Sequence, residues 1–347
     1  SLMVLQSSLS IGLIIASINL SLQLEYLQNL PVNYTKTQRL IVKDAPVRKT
    51  FSDDSFMLFQ AINKIEGVTS ATPVDFDPTD KSNAGFFVES IAGIENFDAS
   101  LSYGGVGFDA VQALGLALVA GRDFSNQHAA DWYNKANASS AIIIPESLIA
   151  QAGYANAADA IGKVWMYAAG PAQHIKGTIV GVIKDIKIGS VRENNLPLVL
   201  VCGLPIGVSS IIVEVEDINS IETKNALAEL LDSRLSMKPV EMNSIEYSYQ
   251  ALYRSEESLV KMVTVFSSLA VFLTCIGMFG LAAYSAQRRR REVSIRKVLG
   301  ASRLTLVSLL TQESVYLVCL SILIAFPTAY LLLEDWLSHF NERIDQS

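Results

Sequence analysis

Hydrophobic and polar positions along the chain fall into two regimes. Three stretches, Leu2–Leu24, Met262–Tyr284 and Ser314–Leu333, carry almost no charge. Crossing a bilayer core takes about 20 apolar residues, so each predicts a membrane-spanning helix. Between the first two, residues 25–257 change to short runs with the periods of a globular domain. QRLIVKD and VTSATPV read as strands on either side of a helix, DDSFMLFQAINKIEG, capped by Asp53 or Asp54 and closed by Gly67. The same order returns later as SSIIVEVED, SIETKNALAELLDSRL and PVEMNSIEY. Two β-α-β units at opposite ends of one region predict a single α+β layer with an insertion between them. The insertion is richer in turns and short strands: GFFVESIAGI, SSAIIIPES, GKVWMYAAG and KGTIVGVIKDI.

The junctions between regimes are helical in pattern. SLQLEYLQNL places Leu22, Leu24, Leu27 and Leu30 near one side, which predicts that the first span continues as a stalk. EYSYQALYRSEESLVKMV predicts a second stalk running without a breaker into the second span. The expected organisation is therefore a first transmembrane helix at 1–24 and an outer domain at 25–257, with layer halves at 36–80 and 206–250. The insertion occupies 81–205 and the stalks 21–30 and 246–260. A second span at 258–285, a loop helix at 286–302, a third span at 303–335 and a tail at 336–347 complete the chain.

Charge decides the orientation. Only 18% of residues are charged and the net charge is −7, yet Arg288, Arg289, Arg290, Arg291, Arg296, Lys297 and Arg303 crowd one short stretch against Glu292 alone. A nucleic-acid binder would spread positive charge over a face, so that class is excluded. Short loops rich in Lys and Arg stay on the cytoplasmic side. Arg288, Arg290 and Arg291, at the end of the second span, act as the topology anchor, and the domain 25–257 lies outside. The first span has no basic n-region and no clear small-x-small cleavage site, so it reads as a retained helix rather than a signal peptide. A start inside and an end outside lead us to expect a fragment.

Candidate chemistry is sparse. His128, His174 and His339 lack metal-ligand spacing, although His128 could pair weakly with Asp131 on a turn. GGVG at 104–107 reads as a turn, and IGK at 161–163 lacks the remaining residues of a phosphate-binding loop. No catalytic, cofactor-binding or metal-binding residues are expected, and no cofactor. Three cysteines make no disulfide framework, and Cys275 and Cys319, inside apolar runs, read as small buried hydrophobes. Glu313 near the inner end of the third span is either an interfacial ion pair with Arg303 or a mechanistic group. Pro327 would kink the third span or be accommodated by neighbouring helices.

The most informative stretch is REVSIRKVLGAS. Val293, Ile295, Val298 and Leu299 form an apolar set at helical spacing, with Arg296 and Lys297 on the other side. Gly300 suits the position past a helix end and Ser302 can cap the helix that follows. An anchor alone would explain the charge but not the stripe.

These residues resemble the cytoplasmic signature of the FtsX/MacB-type ABC transporter permeases. Arg289, Glu292, Val293, Ile295, Arg296, Lys297, Leu299, Gly300, Ala301 and Ser302 fall on that pattern. LGLALVAGRDFS, IGK and GTIVGVIKDI resemble recurrent pieces of the family's periplasmic core, and AFPTAYLLLEDWL its third span. The resemblance implies α-helical transmembrane segments plus an extracytoplasmic α+β domain, a MacB-like periplasmic core with porter-like units and a mostly-β insertion. It implies the second half of a two-repeat permease lacking its last transmembrane helix, in a bacterial inner membrane.

The function it implies is a non-catalytic permease subunit that couples a separate cytoplasmic ABC ATPase to periplasmic work by mechanotransmission, with the second span and its stalk as a stiff lever. That work would be efflux of a drug or peptide, or lipoprotein handling. The alternative is a signalling regulator that activates a periplasmic cell-wall hydrolase without transport. Expected partners are the ATPase, membrane lipid, a second permease repeat in a homodimer or pseudo-dimer, and a periplasmic adaptor. Residues 289, 292, 293 and 295–302 would form the ATPase-coupling helix.

Overall fold

The computed structural model describes residues 2–52, 55–80, 85–91, 99–168, 174–189, 196–205, 209–237, 239–291 and 303–337. They divide into two compact units, Leu30–Leu252 on one hand and Ser1–Asn29 with Tyr253–Ser347 on the other.

The first unit is built from the two β-α-β units and the material between them. β1 (Arg39–Ala45), α2 (Val47–Thr50), α3 (Ser55–Ile62) and β2 (Val68–Val74) form the first, α1 being the apolar helix described below. After the insertion come β10 (Ser209–Val215), α7 (Ile221–Leu235), β11 (Met242–Ser244) and α8 (Ile245–Leu252). The strands pair in the order β11-β1-β10-β2, every neighbour antiparallel. This is the split β-α-β arrangement, with both helices on one face. Leu58, Phe59 and Ile62 of α3 and Leu227, Leu231 and Leu235 of α7 pack there on Leu40, Val42, Ile211 and Val213. Ser220 starts α7 by accepting a hydrogen bond from Thr223 N, the expected cap chemistry. The last expected strand is shorter than its pattern, because α8 takes over at Ile245.

The insertion contributes β3 (Gly85–Ile91), β4 (Ala99–Val106), α4 (Ala110–Leu114), β5 (Leu118–Gly121), β6 (Ser139–Pro145), α5 (Ser147–Gln151), α6 (Ala157–Ala160), β7 (Val164–Ala168), β8 (His174–Ile183) and β9 (Leu198–Cys202). Six of these strands close on themselves: β4 pairs with β3, β3 with β7, β7 with β8, β8 with β6, β6 with β9, and β9 with β4. A closed ring leaves no open sheet edge among the six. Alternate residues of its strands, among them Leu101, Tyr103, Ile142, Ile144, Trp165, Tyr167, Ile179, Val199 and Val201, form one core capped by Leu148 and Ala160 of the short helices.

GGVG is not the turn its composition suggests. Gly104 and Gly105 lie within β4, paired in parallel with Leu200 and Val201. A Cβ on Gly104 would stand 2.7 Å from the Phe76 ring, and one on Gly105 would strike the Leu204 carbonyl oxygen. These glycines serve close approach within a sheet, which sequence composition cannot distinguish from a turn.

α4 covers the second face of the four-stranded layer, against β2 and β10. Ile41, Ile212 and Val74 are fully buried there, so the layer is apolar on both sides. That explains why LIV and IIV read as continuous runs rather than as alternation. Arg39 emerges on this face. Its guanidinium donates to the carbonyls of Ala113 (2.8 Å), Gln112 (3.3 Å) and Thr37 (3.1 Å) and to Glu214 Oε1 (2.9 Å). It thereby ties the C-terminal end of α4 to the sheet.

The GRD of LGLALVAGRDFS is structural too. Arg122 is bidentate to Asp131, at 2.5 and 2.8 Å, and Asp131 also accepts from Ser125 N. The suggested His128–Asp131 pair is therefore replaced: Asp131 is buried against Arg122, and His128 is exposed. Guanidinium geometry matches a carboxylate in two bonds, where an imidazole offers one.

Asp123 accepts from the backbone N–H groups of Gln112 (3.2 Å) and Phe124 (2.7 Å). Burial nevertheless outweighs these bonds and, helped by the neighbouring Asp109 charge, pushes its pKa up to about 6. A folded-state pKa above the unfolded value means that the protonated form is favoured on folding. This stabilisation is complete below the ordinary carboxylate range and disappears as pH rises through about 6. Asp123→Asn should therefore gain stability relative to the parent across that interval. Thermal unfolding of both chains at pH 4.5 and 7.5 checks this; a difference that does not change with pH would contradict it.

Candidate functional site: the apolar helices and the basic segment between two of them

The second unit consists of three long helices, α1 (Leu2–Asn29), α9 (Arg254–Arg288) and α10 (Arg303–Leu337). All three are long and apolar enough to cross a membrane. α1 continues through the expected first stalk, whereas the second stalk and span are not one helix. α8 ends at Leu252 and α9 begins at Arg254, with Tyr253 between them at φ −102°, ψ 7°. The segment contains neither Gly nor Pro, so this break leaves no mark in composition. Pro327 lies inside α10, which continues on both sides of it.

The packing seam is polar and small. Ser10 Oγ is 2.7 Å from Thr274 Oγ1 and 3.1 Å from the Ala270 carbonyl, joining α1 to α9. Ser267 Oγ donates to the Leu13 carbonyl at 2.9 Å, and Ser17 meets Thr264 at 2.9 Å. On the other side, Ser321 Oγ donates to the Val4 carbonyl at 3.1 Å and Ser8 Oγ to the Ser321 carbonyl at 3.2 Å, joining α1 to α10. Ser7, Ser10, Ser267 and Ser321 are buried, while Leu5, Leu9, Phe272, Phe279 and Leu332 face outward. In lipid, leucine gains nothing by turning inward, and small residues allow backbones to approach closely. In the first stalk, Leu27 of the expected apolar side is buried together with Gln23, Leu24 and Leu30 are half-buried, and Leu22 is exposed. Cys275 and Cys319 are likewise exposed rather than buried, and Cys202, in β9, is the fully buried cysteine.

The basic cluster begins where α9 ends. Arg288 is the last residue of that helix and Arg289 its C-cap, with its N–H donating to the Ser285 carbonyl. Arg288, Arg290 and Arg291 are exposed and Arg289 is half-buried. Cations at a helix C-terminus face the negative end of the helix dipole. Glu292, Val293, Ile295, Arg296, Lys297, Val298, Leu299, Gly300, Ala301 and Ser302 lie outside the described residues, as do His339, Asp53 and Asp54. Glu313 and Arg303 are on α10, but their side chains lie outside the described set, and so does their expected ion pair. No group of His, Cys, Asp and Glu that could hold a metal occurs among the described residues.

Two helices that can span a membrane thus flank a short basic segment. Residues 264–345, which take in most of α9, the basic segment and α10, match the family model described as FtsX-like permease C-terminal. Over these residues the chain is similar to the FtsX-like permeases. The chain is 26% identical over 258 residues to the macrolide export ATP-binding/permease protein MacB of Escherichia coli (strain K12), and to that of Shigella flexneri. The match covers 70% of this chain and 38% of those proteins, so the chain spans well under half their length. Among solved structures, it is similar to the periplasmic region of MacB from Actinobacillus actinomycetemcomitans, at 16% identity and a TM-score of 0.40, covering 63% of this chain and 94% of that one. A domain of a permease protein from Porphyromonas gingivalis is 18% identical with a TM-score of 0.36, covering 62% and 90%.

Sequence reasoning found the apolar helices, the basic cluster and the likeness to FtsX-like permeases. It missed the serine and threonine seam. The seam's mark in sequence is the spacing of Ser10 and Ser17 along one helix and of Thr264, Ser267 and Thr274 along another, within runs otherwise read for their hydrophobicity.

Proposed function

We propose that this chain is the permease subunit of an ABC transporter, non-catalytic in itself, that couples a separate cytoplasmic ATPase to work done outside the membrane. In this reading the basic segment is cytoplasmic, the membrane is the bacterial inner membrane, and the domain 30–252 lies in the periplasm. The work is efflux of a drug or peptide, or handling of a lipoprotein. The observation that carries the reading is the signature REVSIRKVLGAS between two spans inside the region that matches the family model. Ile295, Val298 and Leu299 would pack in a groove of the ATPase, with Arg296 and Lys297 against its acidic groups or lipid phosphates. Glu292, Val293, Gly300, Ala301 and Ser302 would shape and end the coupling helix.

The interruption at Tyr253 changes the mechanical part of this reading. A straight helix transmits displacement along its axis at 1.5 Å per residue, but here α9 alone, from Arg254 to Arg288, is the continuous rod. Its small-residue seam with α1 makes a pair of helices, rather than one, the unit that moves.

Replacing Ile295 and Leu299 with Asp tests the proposal, because two carboxylates in an apolar groove are desolvated without partners. The substituted chain should still insert into membranes but lose co-purification of the ATPase and any ATPase stimulation. Retention of both at parental levels would overturn the coupling role.

A further inference from the structure

In the domain 30–252, α3 and the insertion enclose a small cleft of about 40 Å³. Phe56, Phe59 and Gln60 of α3 form one wall, and Phe108, Asp109 and Trp132 the other. The Phe108 and Trp132 rings lie 5.1 Å apart between centroids, tilted by 43°, and Phe51 extends the cluster at 6.4 Å from Trp132. The indole rests on Gly203, where a Cβ would come within 2.6 Å of it and where φ is +76°. The backbone therefore fixes the aromatic wall. Phe108 and Trp132 are half-buried, each keeping part of its ring surface accessible.

Asp109 stands exposed at the mouth in the left-handed region, at φ 58°, ψ 27°. Its carboxylate accepts no capping hydrogen bond from α4, and among the described residues no ion pair reaches it. Partial burial raises its pKa, and the neighbouring acid Asp123, with which it interacts, adds negative charge rather than relieving it. Aromatic faces and an uncompensated carboxylate share one preference, a positive charge carried on apolar groups. A compact inorganic cation would leave the rings unused, and a neutral apolar group would leave the carboxylate unused.

We propose that this cleft binds the alkylammonium headgroup of a small organic cation. The size of the cavity suits a headgroup and not a whole drug-sized molecule, so the rest of the ligand lies outside it. The inference is independent of how the permease couples to an ATPase.

The test uses the full chain in a maltoside micelle, with choline as the probe and 3,3-dimethylbutan-1-ol as its uncharged isostere, followed by saturation-transfer NMR titration. Choline should bind saturably and the alcohol at least about tenfold more weakly, a factor of ten being about 1.4 kcal/mol. Asp109→Asn should weaken choline binding by about the same factor, since asparagine also tolerates a left-handed backbone and an unchanged thermal midpoint will show that the fold persists. Trp132→Leu should weaken it comparably, whereas Asp159→Asn, at an exposed carboxylate on α6, should not. Equal binding of the alcohol, an unaltered titration of Asp109→Asn, or the absence of saturable choline binding would each overturn the proposal.

Discussion

Replacing Arg39 with Met will destabilise the domain 30–252 by about 3–5 kcal/mol, the range for breaking a buried ion pair. The Arg39 side chain is only 6% exposed and Glu214, its cross-strand partner, 23%. Methionine fills much of the same volume but donates nothing. Glu214 would keep a partly buried charge without its cation, and the Ala113 carbonyl would lose the donor it has at the end of α4. Leaving buried acceptors unmade costs more than the bonds themselves contribute. Glu214→Gln should cost less, because the guanidinium keeps its three carbonyl acceptors. Chemical denaturation of the parent and both variants checks this. A loss within about 1 kcal/mol for Arg39→Met would show that α4 is held by its apolar contacts alone.

Trp165→Ala is expected to cost about 3–5 kcal/mol, the usual range for removing a large aromatic side chain from a core. Trp165 is fully buried in β7, within the closed ring of strands. Its neighbours there come from four other strands, so they cannot collapse onto the gap without breaking the ladders around it. The indole N–H also donates to Tyr154 Oη at 3.1 Å. Trp165→Phe keeps most of the packing and loses that bond, and should cost about 1 kcal/mol from the bond plus the smaller volume change. The two variants together separate volume from hydrogen bonding. Thermal unfolding with a tyrosine signal reads both, and equal losses would show that the hydrogen bond, not the volume, dominates.

Different parts of the molecule were legible for different reasons. The split β-α-β layer could be read because its strands and helices are local patterns, and because the second unit repeats the first. The insertion could be read as mostly β, but its closure could not. β4 and β9 join in parallel across residues about a hundred positions apart in the chain, and β4 carries glycines that mimic a turn. The candidate coupling segment was read from its own residues and its likeness to a family, whereas the buried ion pairs Arg39–Glu214 and Arg122–Asp131 were not. Each joins side chains whose pairing depends on where two backbones meet.

The spans show the division most plainly. Length and apolarity determined by themselves that Leu2–Leu24, Met262–Tyr284 and Ser314–Leu333 are helices able to cross a membrane, since only a helix satisfies its own backbone there. The arginines after Tyr284 determined by themselves the strongest asymmetry of charge along the chain. What faces what was decided only by the tertiary structure. Outside a membrane the hydrophobic effect points leucine inward and makes faces readable. Between apolar helices that drive is absent, and Ser10, Ser267 and Ser321 each reach a backbone carbonyl of a neighbouring helix because small side chains let the backbones come close.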